Sequence, residues 1–224
     1  MAESGEYYLK KIKNGTLPVL DSFRIILPTA DNQFVNRIQK ECISWYNVED
    51  MDPEEPKRYN EPEMLASMNF LKGLISKEAE TYYQNDYSKV FLAGFSQGCC
   101  LSFLIGLTFN HILGGVIGFG GIVVPLFFKM IKGEDGDSDM SESFLLRQKA
   151  ESLPVLQYHG KNDPLFQLDR VQGNVERSWT QLGFQNYQII SEEGLPHYTS
   201  ETGFKKMNEF IQEIVQKQGK QAKL

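Results

Sequence analysis

A serine between glycines, an aspartate just after an apolar run and a histidine just after the next are residue types that together could transfer an acyl group. The serine is Ser96, in Gly94-Phe95-Ser96-Gln97-Gly98, where the apolar run 90–93 stops and a second apolar run, 99–105, begins. Residues 90–93 read as a short buried strand and the second run as a helix. The spacing G-x-S-x-G between them is a nucleophile elbow, a sharp turn that exposes the serine hydroxyl while glycines let strand and helix close up. The plainer alternative is a glycine-rich turn within a core; the strand before and the helix after favour the nucleophile.

A serine hydroxyl is a weak nucleophile until a base takes its proton, and the chain has three histidines to choose from. His111, between a helix and the next apolar strand, falls at the end of a parallel sheet away from the elbow. His159 ends the run Pro154-Val155-Leu156-Gln157-Tyr158 and reads as a strand-end residue supporting the loop beyond it. His197, in Glu193-Gly194-Leu195-Pro196-His197, follows the strand Tyr187-Gln188-Ile189-Ile190 and precedes a long helix. Asp163 follows its strand directly, whereas Asp169 already lies in a helical pattern where it would begin or cap a helix. Either Asp163 or His197 could instead serve a turn or a loop, but the order Ser, Asp, His on successive strand ends is the α/β-hydrolase order. Ser96, Asp163 and His197 are therefore the expected catalytic residues.

The elements that must carry them form an α/β chain, a mostly parallel sheet flanked by helices. Residues 90–128 hold no Lys, Arg, Asp or Glu. Glycines 114, 115, 118, 120 and 121 and Pro125 break that stretch into pieces shorter than the roughly 20 residues of a membrane-spanning helix. Strands covered on both faces by helices read this way. Residues 23–27 predict a strand ended by Pro28, and 6–13 a short helix stopped by Asn14-Gly15. Between 31 and 60 the chain reads as a long irregular loop, with Trp45 either lining the mouth of a site or plugging the core. Met64, Leu65, Met68, Leu71, Leu74 and Ile75 recur at helical spacing. Leu126-Phe127-Phe128 fits an acyl-pocket wall or the core, and a helix is expected near 168–182 and another after His197.

Length and composition place all 224 residues in one domain with a sizeable core. A net charge of −6 excludes a nucleic-acid partner and offers no basic patch for a membrane surface. Cys99 and Cys100, adjacent, cannot build a disulfide framework and read as small apolar residues of a reducing compartment. Residues 1–15 contain no apolar core of a secretory signal, so the expected location is cytoplasmic. The acidic segment 132–143 opens like a calcium loop, but Met140 stands where glycine is needed and Leu146 where glutamate should be. It is expected to be a mobile insertion, and neither a metal nor an organic cofactor is expected.

Several stretches taken together resemble the phospholipase/carboxylesterase family, which includes the acyl-protein thioesterases. These are Gly94-Phe-Ser-Gln-Gly98, His159-Gly160 with Asp163-Pro164-Leu165, Gly194-Leu-Pro-His197, Leu27-Pro-Thr-Ala30 and Ser44-Trp-Tyr46. The resemblance runs from about residue 4 to the last helix. It implies a serine hydrolase acting on S-acylated proteins, lysophospholipids or small esters, with the backbone N–H of Gln97 as an oxyanion donor; Trp45, Leu126 and Leu165 are candidate substrate-binding residues beside it. One departure stands out. Family members carry an apolar central strand ending in a His-Gly-Leu-Gly-Asp-like loop, of which only Ala2-Glu-Ser-Gly5 resembles the tail. Three readings are open: an incomplete chain, a strand donated by a partner chain or second copy, or a catalytically silent relative serving as a structural or binding subunit.

Overall fold

The computed structural model describes residues 3–49, 58–132 and 144–221; the acidic segment lies, apart from Lys132, outside them. From residue 91 onward each strand is followed by one helix or two. The order is β3 (Phe91–Phe95), α3 (Gln97–Thr108), β4 (Gly115–Phe119), α4 (Pro125–Lys132), α5 (Phe144–Ser152), β5 (Val155–Gly160), α6 (Leu168–Val175), β6 (Tyr187–Glu192) and α7 (Glu201–Gln221). Parallel strands need such crossovers. The four pair in the order β3-β4-β5-β6, every neighbour parallel, with Gly94 opposite Gly118, Leu156 opposite Ile117, and Tyr158 opposite Ile190.

Helices cover both faces. Apolar residues of α2 (Glu61–Tyr83) and α3 pack with Val116 and Val155 on one side. On the other, α7 and α1 (Gly5–Lys13) pack against Ile117, Phe119, Leu156 and Tyr158. Consequently β4 and β5 are buried along their whole length. Helix boundaries follow local chemistry. Ser4 accepts the N–H of Tyr7 to start α1, and Asn60 accepts that of Glu63 to start α2, with Pro62 in its first turn. Met64, Met68, Leu71 and Ile75 are the buried stripe of α2, as their spacing predicts. The helix expected at 168–182 is α6 continued by a π-turn, Glu176–Thr180.

Three expectations are corrected. The run 23–27 is not a strand: 24–30 carries no regular secondary structure, no backbone group in it pairs with another described residue's backbone, and Ile25 and Ile26 stay exposed. Apolar β-branched residues prescribe an extended conformation, but only an adjacent strand makes a ladder. The strand read as buried at 90–93 becomes β3, the edge of the sheet, with Ala93 exposed. The long loop contains a short antiparallel hairpin, β1 (Asn32–Val35) with β2 (Lys40–Ile43), joined by one 3₁₀ turn. Its strands are too short and too mixed in polarity to show a period. Leu126-Phe127-Phe128, in the first turn of α4, takes the core alternative: Leu126 and Phe127 are buried in the core and Phe128 packs against it.

Candidate active site

A serine at the start of a helix ordinarily caps it with its side chain. Ser96 stands at the N-cap of α3 yet makes no such bond, because its backbone, at φ 54° and ψ −114°, turns the hydroxyl away. A positive φ is costly for a residue with a Cβ, of order 1–3 kcal/mol, and persists only where the surroundings hold it. Here they do: the Ser96 N–H bonds Phe119 O at 2.9 Å and the Ser96 C=O accepts the N–H of Cys100 at 3.0 Å. The released hydroxyl lies 2.9 Å from Nε2 of His197.

The other ring nitrogen of His197, Nδ1, is 2.7 Å from Oδ2 of Asp163. Asp163 follows β5 by three residues, and the N–H groups of Leu165 and Phe166 bind its Oδ1 at 2.8 and 2.9 Å, leaving Oδ2 for the imidazole. Burial works to raise its pKa; the His197 hydrogen bond, the Phe166 N–H, the charge of His197 and the Leu165 N–H outweigh that and lower it. The carboxyl is thus held ionised, which a group that orients an imidazole and stabilises its protonated form requires.

The imidazole is clamped between rings, with Phe95 at 4.9 Å and Phe166 at 5.8 Å between centroids. Its loop rests on Gly160, where a Cβ would come within 2.2 Å of Leu195 O. The loop's far end is tied by Glu192, which accepts hydrogen bonds from Tyr158 Oη–H at 2.6 Å and from Ser200 Oγ–H. His159 plays the supporting part its position predicts. It is buried, its Nε2–H donates to Phe166 O at 2.7 Å, and burial lowers its pKa, so it stays neutral beneath the Asp163 loop. His111 stacks on Tyr87 with ring centroids 3.9 Å apart, beside the starts of β3 and β4 and at the opposite end of the sheet from Ser96. Asp169 lies in the exposed first turn of α6.

A cleft of about 420 Å³ opens beside Ser96, and Trp45, Gln97 and Gly98 are among the residues lining it. Leu126 and Leu165 are not: Leu126 is buried in the core, and Leu165, partly buried, packs against it. Gln97 has a second attachment. Its Oε1 accepts the Trp45 N–H at 3.1 Å and its Nε2–H donates to Tyr46 O at 2.9 Å, with the Ser44 hydroxyl about 3 Å from both atoms. Sequence reasoning singled out Ser44-Trp45-Tyr46 without seeing this tie; an amide beside a nucleophile is the only signal of it. Among the described residues no three His, Cys, Asp or Glu side chains gather as a metal site, and no helix is long and apolar enough to cross a membrane.

A parallel sheet with this elbow at the end of one strand and the partner loops after two others is the α/β-hydrolase fold. The family model for phospholipases and carboxylesterases matches residues 14–215, and the chain belongs to that family. Curated relatives include acyl-protein thioesterase 1 of Eremothecium gossypii, 29% identical over 191 residues, which are 82% of this chain and 71% of the relative. Acyl-protein thioesterase 1 of Yarrowia lipolytica is 25% identical over 198 residues, 86% and 77% of the two chains. Among solved structures, Zea mays acyl-protein thioesterase 2 superposes with a TM-score of 0.77 at 20% identity, covering 95% of this chain and 89% of that one. Arabidopsis thaliana SOBER1 gives 0.73 at 18%, covering 96% and 94%. At these identities the structural matches speak for the fold.

Proposed function

We propose that the protein is a serine hydrolase that cleaves acyl thioesters or esters through Ser96, His197 and Asp163. The observation that carries this is the 2.9 Å approach of His197 Nε2 to a serine hydroxyl kept out of its helix cap. In the reaction His197 Nε2 takes the hydroxyl proton as Ser96 Oγ attacks the acyl carbonyl. Asp163 Oδ2 accepts the Nδ1–H and stabilises the imidazolium. The negative oxygen of the tetrahedral intermediate takes a hydrogen bond from the backbone N–H of Gln97, the residue after the nucleophile. The protonated His197 then gives its proton to the departing thiol or alcohol, leaving an acyl-serine. Water attacks that ester with His197 again as base, releasing the carboxylic acid and restoring the serine. The names of the relatives, acyl-protein thioesterases, support an S-acylated protein as the substrate, ahead of a lysophospholipid or small ester.

A fluorophosphonate probe tests this directly. The folded protein should be labelled at Ser96, and Ser96→Ala should abolish labelling without changing the circular dichroism. Folded protein that takes up no label would overturn the hydrolase reading in favour of a silent family member.

A further inference from the structure

We infer that Arg58 is a positioning residue for the proposed reaction. Its guanidinium, set over the ring of Phe166, keeps that ring against the imidazole of His197 and so keeps Nε2 on the serine hydroxyl, a role that rests on the hydrolase reading above. Arg58 is 4% exposed, a rare depth for an arginine, since a charge taken out of water must be met by partners inside. Ring faces meet part of it: Cζ of Arg58 lies 5.3 Å from the ring centre of Tyr59 and 5.3 Å from that of Phe166. Phe166 is itself buried and is a hub of the site. Its N–H donates to Asp163 Oδ1 at 2.9 Å, its C=O accepts from His159 Nε2–H at 2.7 Å, and its ring stacks on that of His197, 25° from parallel. Those backbone bonds fix where the side chain begins but not how its ring turns, because the torsion about an aromatic Cβ–Cγ bond is broad. A cation held over the ring takes that freedom away.

The backbone that carries Arg58 also supports the oxyanion side. Glu49 N–H donates to Arg58 O at 2.6 Å, Asn60 N–H donates to Asn47 O at 3.0 Å, and Val48 and Tyr59 form an antiparallel bridge between these bonds. The Tyr59 ring meets that of Tyr46 edge to face at 5.6 Å, and Tyr46 C=O accepts from the Gln97 amide at 2.9 Å. Residues 46–49 and 58–60 thus make one small platform, pinned to α2 where Asn47 N–H donates to Glu63 Oε2 at 2.6 Å. Gln97 is fastened to one side of it, and Arg58 reaches from the other side to the ring that holds the imidazole. The charge matters as well as the bulk: an apolar side chain of similar length would fill the space beside Phe166 but would not draw the negative face of its ring. A displacement of about 1 Å in a reacting group is enough to cost ~10²-fold in rate. A loosened Phe166 ring would therefore be felt in proton transfer before it was felt in the fold.

The experiment compares the full chain with Arg58→Met, Phe166→Leu and the two substitutions together. One readout is hydrolysis of a medium-chain p-nitrophenyl ester. The other, independent of turnover, is the proton NMR signal of the His197 Nδ1–H that faces Asp163, identified by its loss in His197→Gln. Each single variant should lower kcat at least tenfold and leave KM within twofold, since neither residue is among those lining the cleft. The double variant should lose no more than the poorer single variant, because Arg58 acts through the ring. The Nδ1–H should exchange with water at least tenfold faster in all three. A kcat loss below tenfold in Arg58→Met, unchanged Nδ1–H exchange, or losses that multiply in the double variant would overturn the inference. Should Arg58→Met lose the parent's circular dichroism, Arg58→Gln takes its place under the same limits. A parent labelled at Ser96 beside an Arg58 variant that turns over normally would sink this inference and leave the hydrolase reading standing. An unlabelled parent would sink that reading, and the exchange rates would still judge the clamp on His197.

Discussion

A Cβ built on Gly94 would stand 2.1 Å from the carbonyl oxygen of Gly98, whereas a Cβ on Gly98 would meet nothing within 4 Å. The two glycines of the elbow are therefore not equivalent. Gly94 is bare because the first turn of α3 passes directly over it; Gly98 looks into the open cleft. Gly94→Ala should destabilise the fold by about 1–3 kcal/mol or more through overpacking against backbone. Gly98→Ala should stay within about 1 kcal/mol of the parent, aided by alanine's helix propensity. Urea unfolding of the two variants decides this, and equal losses would contradict the geometry.

On the proposed mechanism Asp163→Asn keeps a hydrogen-bonding side chain but loses the charge that fixes the imidazole tautomer. A fall in kcat of about 10⁴-fold is expected. Hydrolysis of a medium-chain p-nitrophenyl ester measures it, and a loss below tenfold would remove Asp163 from the mechanism.

Acid stability should be lost in two stages. Burial lowers the pKa of His159, so as pH falls below the unfolded-state value of about 6.5 the unfolded chain binds the proton first and stability declines. Asp163, also lowered in the folded state, contributes stability that is complete above its unfolded value of about 3.9 and disappears as pH falls through its folded pKa. His159→Gln should remove the first stage only. Urea unfolding between pH 3 and pH 8 would show it, and an unchanged first stage in the variant would count against burial of His159 as its cause.

A buried lysine gives a separate alkaline signature. Lys149 donates to Gly106 O at 2.9 Å and to Phe109 O, capping the end of α3. Burial, helped by the charge of Lys72, brings its pKa down to about 7. Between that and an unfolded value of about 10.4 the unfolded chain holds more protons, so stability should rise as pH increases from about 7 to 10. Lys149→Met should flatten that slope, and a variant with the parent's slope would exclude Lys149 as its source.

Much of this site can be read from spacing because each of its residues ends a strand with a strong apolar pattern. Ser96 after 90–93, Asp163 after β5 and His197 after β6 are local features, and the sheet brings them together. What could not be read depends on neighbours. Residues 23–27 look like a strand and have no strand beside them among the described residues; 90–93 look buried and lie at the edge of the described sheet. The hairpin β1-β2 is held by cross-strand pairs that single-chain periodicity does not encode. Lys149 sits within an ordinary polar helix pattern, and only the packing of α5 on α3 reveals that its amine is buried.

The tie between Gln97 and residues 44–46 has a mechanical consequence. The residue whose N–H would face the reacting oxygen is fastened by its own amide to the backbone on either side of Trp45. On the proposed mechanism an acyl group that met the indole would tug at the N–H offered to the reacting oxygen, so good and poor substrates should separate in turnover rate more than in how tightly they are held.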